Sequence, residues 1–407
     1  MLERHNFICF GPSDWWGMNP SCTTHIMQKL AAKNKILYVN PFSSDLLGAV
    51  KKGFGKRVVR KLKSILRFLQ RPNNNLYVFS PIFLPFQGNK IIDAINNFFL
   101  RLQIRIVCLF LRMSKPILWV ENVRAADILE WFAPLLVVYH ASDLFAEDGY
   151  TANPGALRQR EERVSQASDV LICVSKRLYE AKNAELDNIF YLPHGVDFEL
   201  FREAANGGGN STERLANVPR PIAGYYGTMT ANNDIELLQY CARKSRDVSF
   251  VLAGQITGGN YEELSREPNV YLLGKVQYEQ IPALCASFDV CLLQWKMSKW
   301  IRFCHPLKFF EYMASGKPIV SVPIDEIVEN YSDIVSIVNT KEEYCKAIMW
   351  ELNNDTNERA HRRIEAAKEH SWDSHIEQLS RIISRALETK TRQQTDLKQA
   401  HSGGISK

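Results

Sequence analysis

The chain has 407 residues, of which 46% are hydrophobic and 23% are charged, with a formal net charge of +6. This balance excludes a wholly disordered or fibrous chain, and the length suits two domains better than one. The longest apolar stretch, residues 98–111, contains Arg101 and Arg105 and is too short to cross a bilayer.

Short apolar runs alternate with helical patterns through the first half of the chain, as in α/β proteins with parallel sheets. The predicted strands are residues 7–11, 36–40, 76–80, 117–121, 135–140, 170–175 and 189–193. Helices are predicted between most of them, including residues 22–33 and 154–168.

The segment 51–71, KKGFGKRVVRKLKSILRFLQR, carries nine Lys and Arg residues, and no acidic residue lies between Asp45 and Asp93. Apolar residues recur in it at helical spacing, which is typical of a basic amphipathic helix on an anionic membrane surface. A solvated helix packed on its own domain is the alternative. We expect no nucleic-acid partner, because no nucleic-acid-binding module accompanies the basic residues.

Residues 202–221, REAANGGGNSTERLANVPRP, are polar and glycine-rich and predict a linker. Beyond it, strands are predicted at 222–227, 248–254, 270–274, 290–294, 318–322 and 334–338, and helices at 232–244, 277–287, 306–315, 340–353 and 356–387. The predicted organisation is a first domain over 1–203, a linker over 204–221, a second domain over 222–370, a terminal helix over 371–387 and a disordered tail over 388–407. Two such halves suggest facing doubly wound domains whose ligands bind at the carboxyl ends of the strands.

Nine cysteines are scattered along the chain without Cys-x-x-Cys spacing, so we expect reduced core thiols in a cytoplasmic protein. The first residues lead directly into the first predicted strand, and no signal peptide is expected.

The segment 305–320, HPLKFFEYMASGKPIV, places Lys308 and Glu311 on one face of a predicted helix that is otherwise apolar. Pro306 can begin that helix. A helix N-terminus beside a lysine can hold a diphosphate, and a glutamate one turn later can accept hydrogen bonds from a ribose diol. The alternative is a local ion pair on a surface helix.

This segment resembles the nucleotide-sugar signature of GT-B glycosyltransferases of group 1. The resemblance implies that Glu311 holds the ribose and Lys308 lies near the diphosphate. YLPHGVD at 191–197, GYYGTM at 224–229 and HSWD at 370–373 resemble family elements that occur in the same order. The family fold implied is GT-B, which has two facing Rossmann-like domains, an interdomain cleft and a terminal helix that crosses back to the first domain. Further nucleotide-sugar-binding positions implied are Gly227, Thr228, Met229 and Val276.

The catalytic candidate is Asp143, which follows the predicted strand 135–140 in VYHASD. A carboxylate there can remove a proton from an acceptor hydroxyl, although Asp143 could instead cap the next helix. The segment resembles the one that carries the catalytic aspartate of xanthan-type glucuronosyltransferase, an inverting GT-B enzyme. Many retaining members have a second glutamate eight residues before the ribose-binding one, where this chain has Phe303. Both features favour inversion.

The loop 11–22, GPSDWWGMNPSC, follows the first predicted strand and supplies candidate acceptor-binding residues. These are Asp14, Trp15, Trp16 and His25, with Asp14 as the second candidate for the base. Paired tryptophans can stack on a sugar, or they can simply fill the domain.

The predicted function is transfer of a sugar from a nucleotide-diphosphate sugar to a glycan or polyprenyl-linked acceptor in cell-surface polysaccharide synthesis. The protein would be peripheral on the inner face of the cell membrane, held by segment 51–71 and by the arginine-bearing apolar stretch at 98–111. No cofactor is expected. The resemblance to GT-B enzymes implies that no metal is needed, and the absence of an Asp-x-Asp triplet from the sequence agrees with this. The alternatives are a GT-B-like epimerase or phosphorylase, and a non-catalytic nucleotide-sugar-binding subunit.

Overall fold

The structure is a computed structural model. It describes residues 2–17, 20–41, 68–84, 90–144, 153–183, 188–208 and 213–403. The chain divides into two compact units. Unit 1 comprises Met1–Val174, Leu178–Leu192 and Ile376–Lys407, and unit 2 comprises Ser175–Arg177 and Pro193–His375.

Unit 1 is built on an eight-stranded sheet in the order β3-β4-β2-β1-β5-β6-β7-β8. The strands are β1 (Asn6–Phe10), β2 (Lys35–Val39), β3 (Leu69–Asn73), β4 (Leu76–Phe79), β5 (Ile117–Val120), β6 (Leu136–Ala141), β7 (Val170–Cys173) and β8 (Ile189–Tyr191). All pairs are parallel except β3 with β4. Every residue of β5, β6 and β7 is buried, as expected for parallel strands covered on both faces.

The helices of unit 1 have recognisable start signals. They are α1 (Cys22–Leu30), α2 (Lys90–Phe110), α3 (Pro154–Ala167), α4 (Lys176–Asn183), whose first two residues belong to unit 2, and α13 (Trp372–Gly403), which enters unit 1 at Ile376. Ser21 accepts a hydrogen bond from the N–H of Thr24 and caps α1. Asn153 caps α3 in the same way, and Pro154 occupies the first helical position.

Unit 2 has a six-stranded parallel sheet in the order β11-β10-β9-β12-β13-β14. The strands are β9 (Ile222–Tyr226), β10 (Ser249–Ala253), β11 (Val270–Gly274), β12 (Val290–Leu293), β13 (Ile319–Ser321) and β14 (Ser336–Ile337). The helices are α5 (Phe198–Glu203), α6 (Ile235–Lys244), α7 (Ile281–Ala286), α8 (Lys299–Phe303), α9 (Leu307–Ala314), α10 (Asp325–Tyr331), α11 (Lys341–Asn354) and α12 (Asn357–Glu369). One hydrophobic core cluster extends from Val196 to Ala367.

Each sheet has a point where the strand order reverses. In unit 1 the chain moves from β1 outward through β2, and later returns to place β5 on the other side of β1. In unit 2, β10 and β12 flank β9 in the same manner. Ligands of doubly wound sheets bind at the carboxyl ends of the strands on either side of such a point.

A buried arginine on α12 joins three segments of unit 2. Arg363, with no exposed surface, donates hydrogen bonds to the carbonyl oxygens of Gly316 and Ile334, at 3.0 and 3.3 Å, and to Asp355 Oδ2, at 2.6 Å. Gly316 directly follows the C-terminal end of α9. The arginine therefore ties α12 to the helix that carries Lys308 and Glu311.

Two predicted segments at the C-terminus differ from the structure. The helix predicted over 356–387 is two helices, α12 and α13, separated at His370 and Ser371. The disordered tail predicted over 388–407 is wrong for residues 388–403, because α13 continues to Gly403. The segment forms a helix because of its composition. Leu, Lys, Gln, Glu, Arg and Ala favour helix, and no Pro or Gly interrupts the segment before Gly403.

The basic segment 51–71 lies outside the described residues over 51–67. Its last residues are described, and Leu69–Arg71 belong to strand β3, so the amphipathic helix predicted as far as Leu69 is wrong at that end. Within the described ranges, no helix combines the length and apolarity needed to cross a membrane. The nine cysteines all lie in the described part of the chain and form no disulfide there, and seven of them are buried.

Candidate functional site

The site begins with two loops of unit 2 whose backbones touch. Gly227 follows β9 with φ +137°, and Gly254 follows β10 with φ +153°. A Cβ added to Gly254 would lie 1.8 Å from the carbonyl oxygen of Gly227, so only glycine fits there. Hydrogen bonds from Gly227 N to Ala253 O and from Met229 N to Gln255 O, both 2.9 Å, fix the two loops together.

Lys308 on α9 reaches the same place. A Cβ added to Gly227 would lie 3.3 Å from Lys308 Nζ, so the bare glycine backbone faces the amine. Nζ lies 4.8 Å from the ring centroid of Trp295 and 5.3 Å from that of Tyr225. The electron-rich ring faces hold the ammonium group beside the loop that follows β9.

The N-terminus of α9 adds a second source of positive potential. Pro306 precedes the helix, and its side chain makes no capping hydrogen bond to the first turn. The first N–H groups of a helix carry partial positive charge and bind anions. Lys308 stands in this first turn, so the ammonium group and the helix end act on the same point.

Glu311 lies one turn later and is half-buried. Tyr226 donates its hydroxyl to Glu311 Oε2 at 2.7 Å. Burial raises the pKa of Glu311 to about 7, and the nearby Asp197 carboxylate adds to the rise, while the hydrogen bond from Tyr226 and the charge of Lys308 oppose it. Asp197 is itself bound by the hydroxyl of Tyr278 at 3.3 Å. Glu311 is therefore a carboxyl group that exchanges a proton near neutral pH.

The structure brings Gly227, Lys308 and Glu311 together, but it treats the other predicted residues of unit 2 differently. The side chain of Thr228 is exposed beside Gly227. The side chains of Met229 and Val276, 1% and 4% exposed, are packed into the core cluster of unit 2, so these two positions can meet a ligand only through their backbone. Their roles remain predictions.

Sequence reasoning missed four groups around this site. Tyr226 ends the apolar strand β9, Trp295 follows the apolar strand β12, and Asp197 is the last residue of the HGVD segment. Their positions at a strand end or within a motif were the features that could have marked them as site residues. Tyr278 had no comparable signal. Arg302, which lies shortly before α9, pairs with Asp325 at 3.8 Å.

In unit 1 the loop that follows β1 is held in place by hydrogen bonds from its backbone N–H groups to side-chain oxygens. Asp14 Oδ1 accepts a hydrogen bond from Trp16 N at 2.9 Å, and Trp15 N donates to Asn40 Oδ1 at 2.8 Å. The ring of Trp15 packs edge-to-face on Tyr38, with centroids 4.9 Å apart. Trp15 is thus partly used in packing, whereas the ring of Trp16 is 39% exposed. His25 is buried within α1, 8% exposed.

Asp143 follows β6 at the same edge of the sheet, because β1, β5 and β6 are consecutive parallel neighbours. It is half-buried, and its Oδ1 accepts a hydrogen bond from Leu144 N at 3.1 Å. The alternative that Asp143 caps a following helix concerns residues 145–152, which lie outside the described part of the chain. Its catalytic role stays a prediction.

Between these two loops, sequence reasoning missed a buried carboxylate. Glu121, 4% exposed, follows β5 and accepts hydrogen bonds from Ser142 Oγ and from His140 Nδ1, the latter at 3.3 Å. Ser142 directly precedes Asp143, so Glu121 fixes the turn that carries the candidate base. A charged residue at the end of the apolar run ILWVE was the signal.

Comparison with known proteins agrees with the geometry of unit 2. Residues 220–354 match the model of the family Glycosyl transferases group 1. The Bacillus subtilis (strain 168) protein TuaH, named as a teichuronic acid biosynthesis glycosyltransferase, is 27% identical over 198 residues. That match covers 45% of this chain and 49% of TuaH, which is about half of each.

Solved structures are similar to nearly the whole chain. Anabaena Alr3699/HepE, solved in complex with UDP and glucose, superposes with a TM-score of 0.63 at 13% identity and covers 94% of this chain and 100% of its own. Sucrose-phosphate synthase from Thermosynechococcus elongatus gives a TM-score of 0.69 at 11% identity, with 95% of this chain and 100% of its own covered. The fold is therefore that of GT-B glycosyltransferases, as the sequence predicts.

Proposed function

We propose that this protein is a glycosyltransferase that uses a nucleotide-diphosphate sugar as donor in cell-surface polysaccharide synthesis. The observation that carries the proposal is the meeting of Gly227, Lys308 and Glu311 beside the point where the strand order of unit 2 reverses. The bare backbone of Gly227 suits one phosphate, and the ammonium group of Lys308 with the helix N-terminus suits the second. The carboxylate of Glu311 suits a ribose diol.

The leaving diphosphate needs a compensating charge as its bond to the sugar breaks. Lys308 and the N-terminus of α9 would supply it without reorganising, because both are fixed before the reaction. We propose no metal for this role. HepE is described with UDP and glucose, and TuaH is named for teichuronic acid biosynthesis, which supports a nucleotide sugar and a cell-surface polysaccharide.

For the chemical step we propose inversion with Asp143 as general base. The carboxylate of Asp143 accepts the proton of an acceptor hydroxyl while that oxygen forms a bond to the anomeric carbon. The bond from the anomeric carbon to the diphosphate oxygen breaks at the same time, and its electron pair leaves with the diphosphate. Support comes from the position of Asp143 at the carboxyl end of β6 and from Phe303 at the place of a second glutamate.

The proposed acceptor is a glycan or a polyprenyl-linked sugar met by unit 1. Asp14, Trp15, Trp16 and His25 are the proposed contacts, with the exposed ring of Trp16 as the most accessible surface for stacking. The basic segment 51–71 supports a peripheral position on the inner face of the membrane, where a lipid-linked acceptor would be presented.

The test is release of nucleotide diphosphate from UDP- and GDP-sugars in the presence of membrane lipid extract. We expect release with one donor, loss of donor binding in Lys308→Gln, and donor binding without turnover in Asp143→Asn. Lys317→Gln, three residues beyond the C-terminal end of the same helix, is the control and should bind donor normally. Donor binding without release in the unmodified protein would favour a non-catalytic binding subunit, and full activity of Asp143→Asn would remove that residue from the mechanism.

A further inference from the structure

Helix α2 carries a row of large apolar side chains that are exposed. Between 37% and 76% of each side chain is accessible to solvent. The row consists of Ile91, Ile95, Phe98, Phe99, Leu102, Ile106, Leu109 and Phe110, and we call it the α2 stripe. Monomeric proteins rarely expose a contiguous apolar surface of this kind unless it meets a partner or a membrane.

The α2 stripe is one face of the helix rather than a scatter of positions. At 3.6 residues per turn its eight members fall within an arc of about 120°. A second apolar face, formed by Leu100, Ile104 and Val107, is buried in unit 1 on the opposite side. The helix is therefore held to the protein by one face and presents the other outward.

Positive charge borders the α2 stripe along one side. Lys90, Arg101 and Arg105 follow one another along that edge of the helix, and Lys90 and Arg105 are exposed. Arg101 is stacked over the ring of Trp131 at 3.9 Å, and Trp131 is itself 65% exposed. The acidic residue of the helix, Asp93, falls on the opposite side, close to the buried face.

We propose that α2 lies in the plane of an anionic lipid bilayer, with the α2 stripe inserted among the acyl chains. An apolar face bordered by cations is the arrangement by which interfacial helices bind such surfaces. The arginines would meet lipid phosphates, and Trp131 would sit at the headgroup level, where tryptophan is favoured. This surface lies on described residues and is distinct from the basic segment 51–71.

Charge complementarity selects lipid over the other candidate occupants. Two copies of the chain packed through this face would gain no charge complementarity, because both carry the same cationic edge. Segment 42–67 of this chain is itself strongly basic and would gain none either. An anionic lipid surface is complementary to both the apolar face and its edge.

The experiment is flotation of the full chain with vesicles, one set of phosphatidylcholine alone and one with 30% phosphatidylglycerol, compared with a triple variant Phe98→Gln, Leu102→Gln and Ile106→Gln. We expect the unmodified chain to float with the anionic vesicles, and the variant to partition at least tenfold less. The control changes three exposed apolar residues of unit 2, Leu200, Val328 and Met349, to Gln and should float as the parent does.

Two further readings separate the alternatives. Thermal unfolding should show the triple variant to be as stable as the parent, because the changed side chains are exposed; a clear loss of stability would mean that another segment of the chain covers the α2 stripe. Size-exclusion chromatography without lipid should show no self-association that the variant abolishes. Self-association of the parent that the variant abolishes would identify a second copy as the occupant.

Undiminished flotation of the variant would overturn the proposal. Lipid binding needs neither donor nor turnover, so the result is independent of the nucleotide-release test.

Discussion

Glu311 is the residue whose surroundings most directly determine how the proposed donor site responds to pH. Its carboxyl group is buried next to Asp197, and its pKa is about 7 instead of the usual 4.5. The folded protein therefore keeps a proton on Glu311 that the unfolded chain releases between these two values. The contribution of Glu311 to stability falls as the pH rises through that interval.

A ribose diol needs the ionised form of Glu311, because only the ionised carboxylate accepts hydrogen bonds on both oxygens without carrying a donor. We predict that nucleotide diphosphate binds more tightly as the pH rises from 6 to 8, and that Glu311→Gln weakens binding about tenfold or more at pH 8, since a hydrogen bond to a charged group contributes about 1.5–3 kcal/mol. Isothermal titration calorimetry at both pH values measures this.

The glutamine variant also supplies the control for ionisation of the ligand itself, because it lacks the titrating carboxyl group. The difference between variant and parent should shrink at pH 6, where the parent is mostly protonated. An equal loss of affinity at pH 6 and pH 8 would show that the protonation of Glu311 does not govern binding.

At this scale the sequence predicted that Lys308 and Glu311 share one face of a helix, but it did not predict their neighbours. The two residues share a helical spacing that can be read from the chain. Tyr226, Trp295 and Asp197 reach the same site from a strand end, a loop and the HGVD segment, and their meeting depends on how the strands of unit 2 are ordered. Glu121 was missed for the same reason, since its partner His140 lies in the next strand of the sheet and its partner Ser142 directly follows that strand.

At the scale of elements, the position of α9 depends on the buried contact with α12. Arg363 donates hydrogen bonds to two carbonyl oxygens and one carboxylate. Removing it takes this donor from the carbonyl oxygens of Gly316 and Ile334, while Asp355 keeps Arg359 as a partner. We predict that Arg363→Met lowers the free energy of unfolding by about 2–4 kcal/mol, because three hydrogen bonds from a buried charged group are lost together. Urea denaturation followed by circular dichroism measures it.

The neighbouring Arg362 provides a matched control. It pairs with Asp333, and both side chains are about half exposed. Arg362→Met should therefore change stability by no more than about 1 kcal/mol, as for other surface ion pairs. Equal losses from the two variants would mean that the burial of Arg363 is not what makes it important.

Elements with strong apolar patterns were predicted well, and those without them were not. The buried strands read as continuous apolar runs because both of their faces are covered. Strand β3, LQRPN, has four exposed residues out of five and a proline, so nothing in its composition marks it as a strand. It forms because its backbone pairs with β4 at the edge of the sheet. Helix α2 was recognised only as an apolar stretch from residue 98, although it begins at Lys90.

At the scale of the whole molecule, the two units differ in how their chain segments are assembled. Unit 2 is nearly continuous in sequence and has its own core cluster between Val196 and Ala367. Unit 1 is not continuous, because it takes its last segment from α13. In that helix Ile376, Leu379 and Ile383 are at most 2% exposed.

We predict that a fragment of residues 193–375 unfolds cooperatively and binds nucleotide diphosphate with an affinity close to that of the full chain. The reason is that Gly227, Lys308, Glu311 and the core that supports them all lie within it. Differential scanning calorimetry and a thermal-shift titration with UDP and GDP measure the two properties.

A fragment of residues 1–192 is the counterpart and should fail to unfold cooperatively. It lacks the three buried side chains of α13, whose burial contributes about 5–9 kcal/mol at 1.5–3 kcal/mol each, comparable to the stability of a typical domain. A stable 1–192 fragment would show that α13 is dispensable for unit 1.

The two-domain α/β character and the GT-B fold were predictable because the motifs occur in family order along most of the chain. The facing arrangement of the two halves and the cleft between them stay predictions, as do the roles of the individual site residues. Sequence patterns report which face of an element is apolar, and they carry much less information about how separate units are oriented.

The contact between Gly254 and the carbonyl oxygen of Gly227 has a practical consequence for altering this protein. Neither loop has room to change its path unless the other moves with it. To change the donor preference of this protein, both loops should be exchanged together. A chimaera that exchanges only one loop would bring a new backbone into steric conflict with the other loop, which has no room to move.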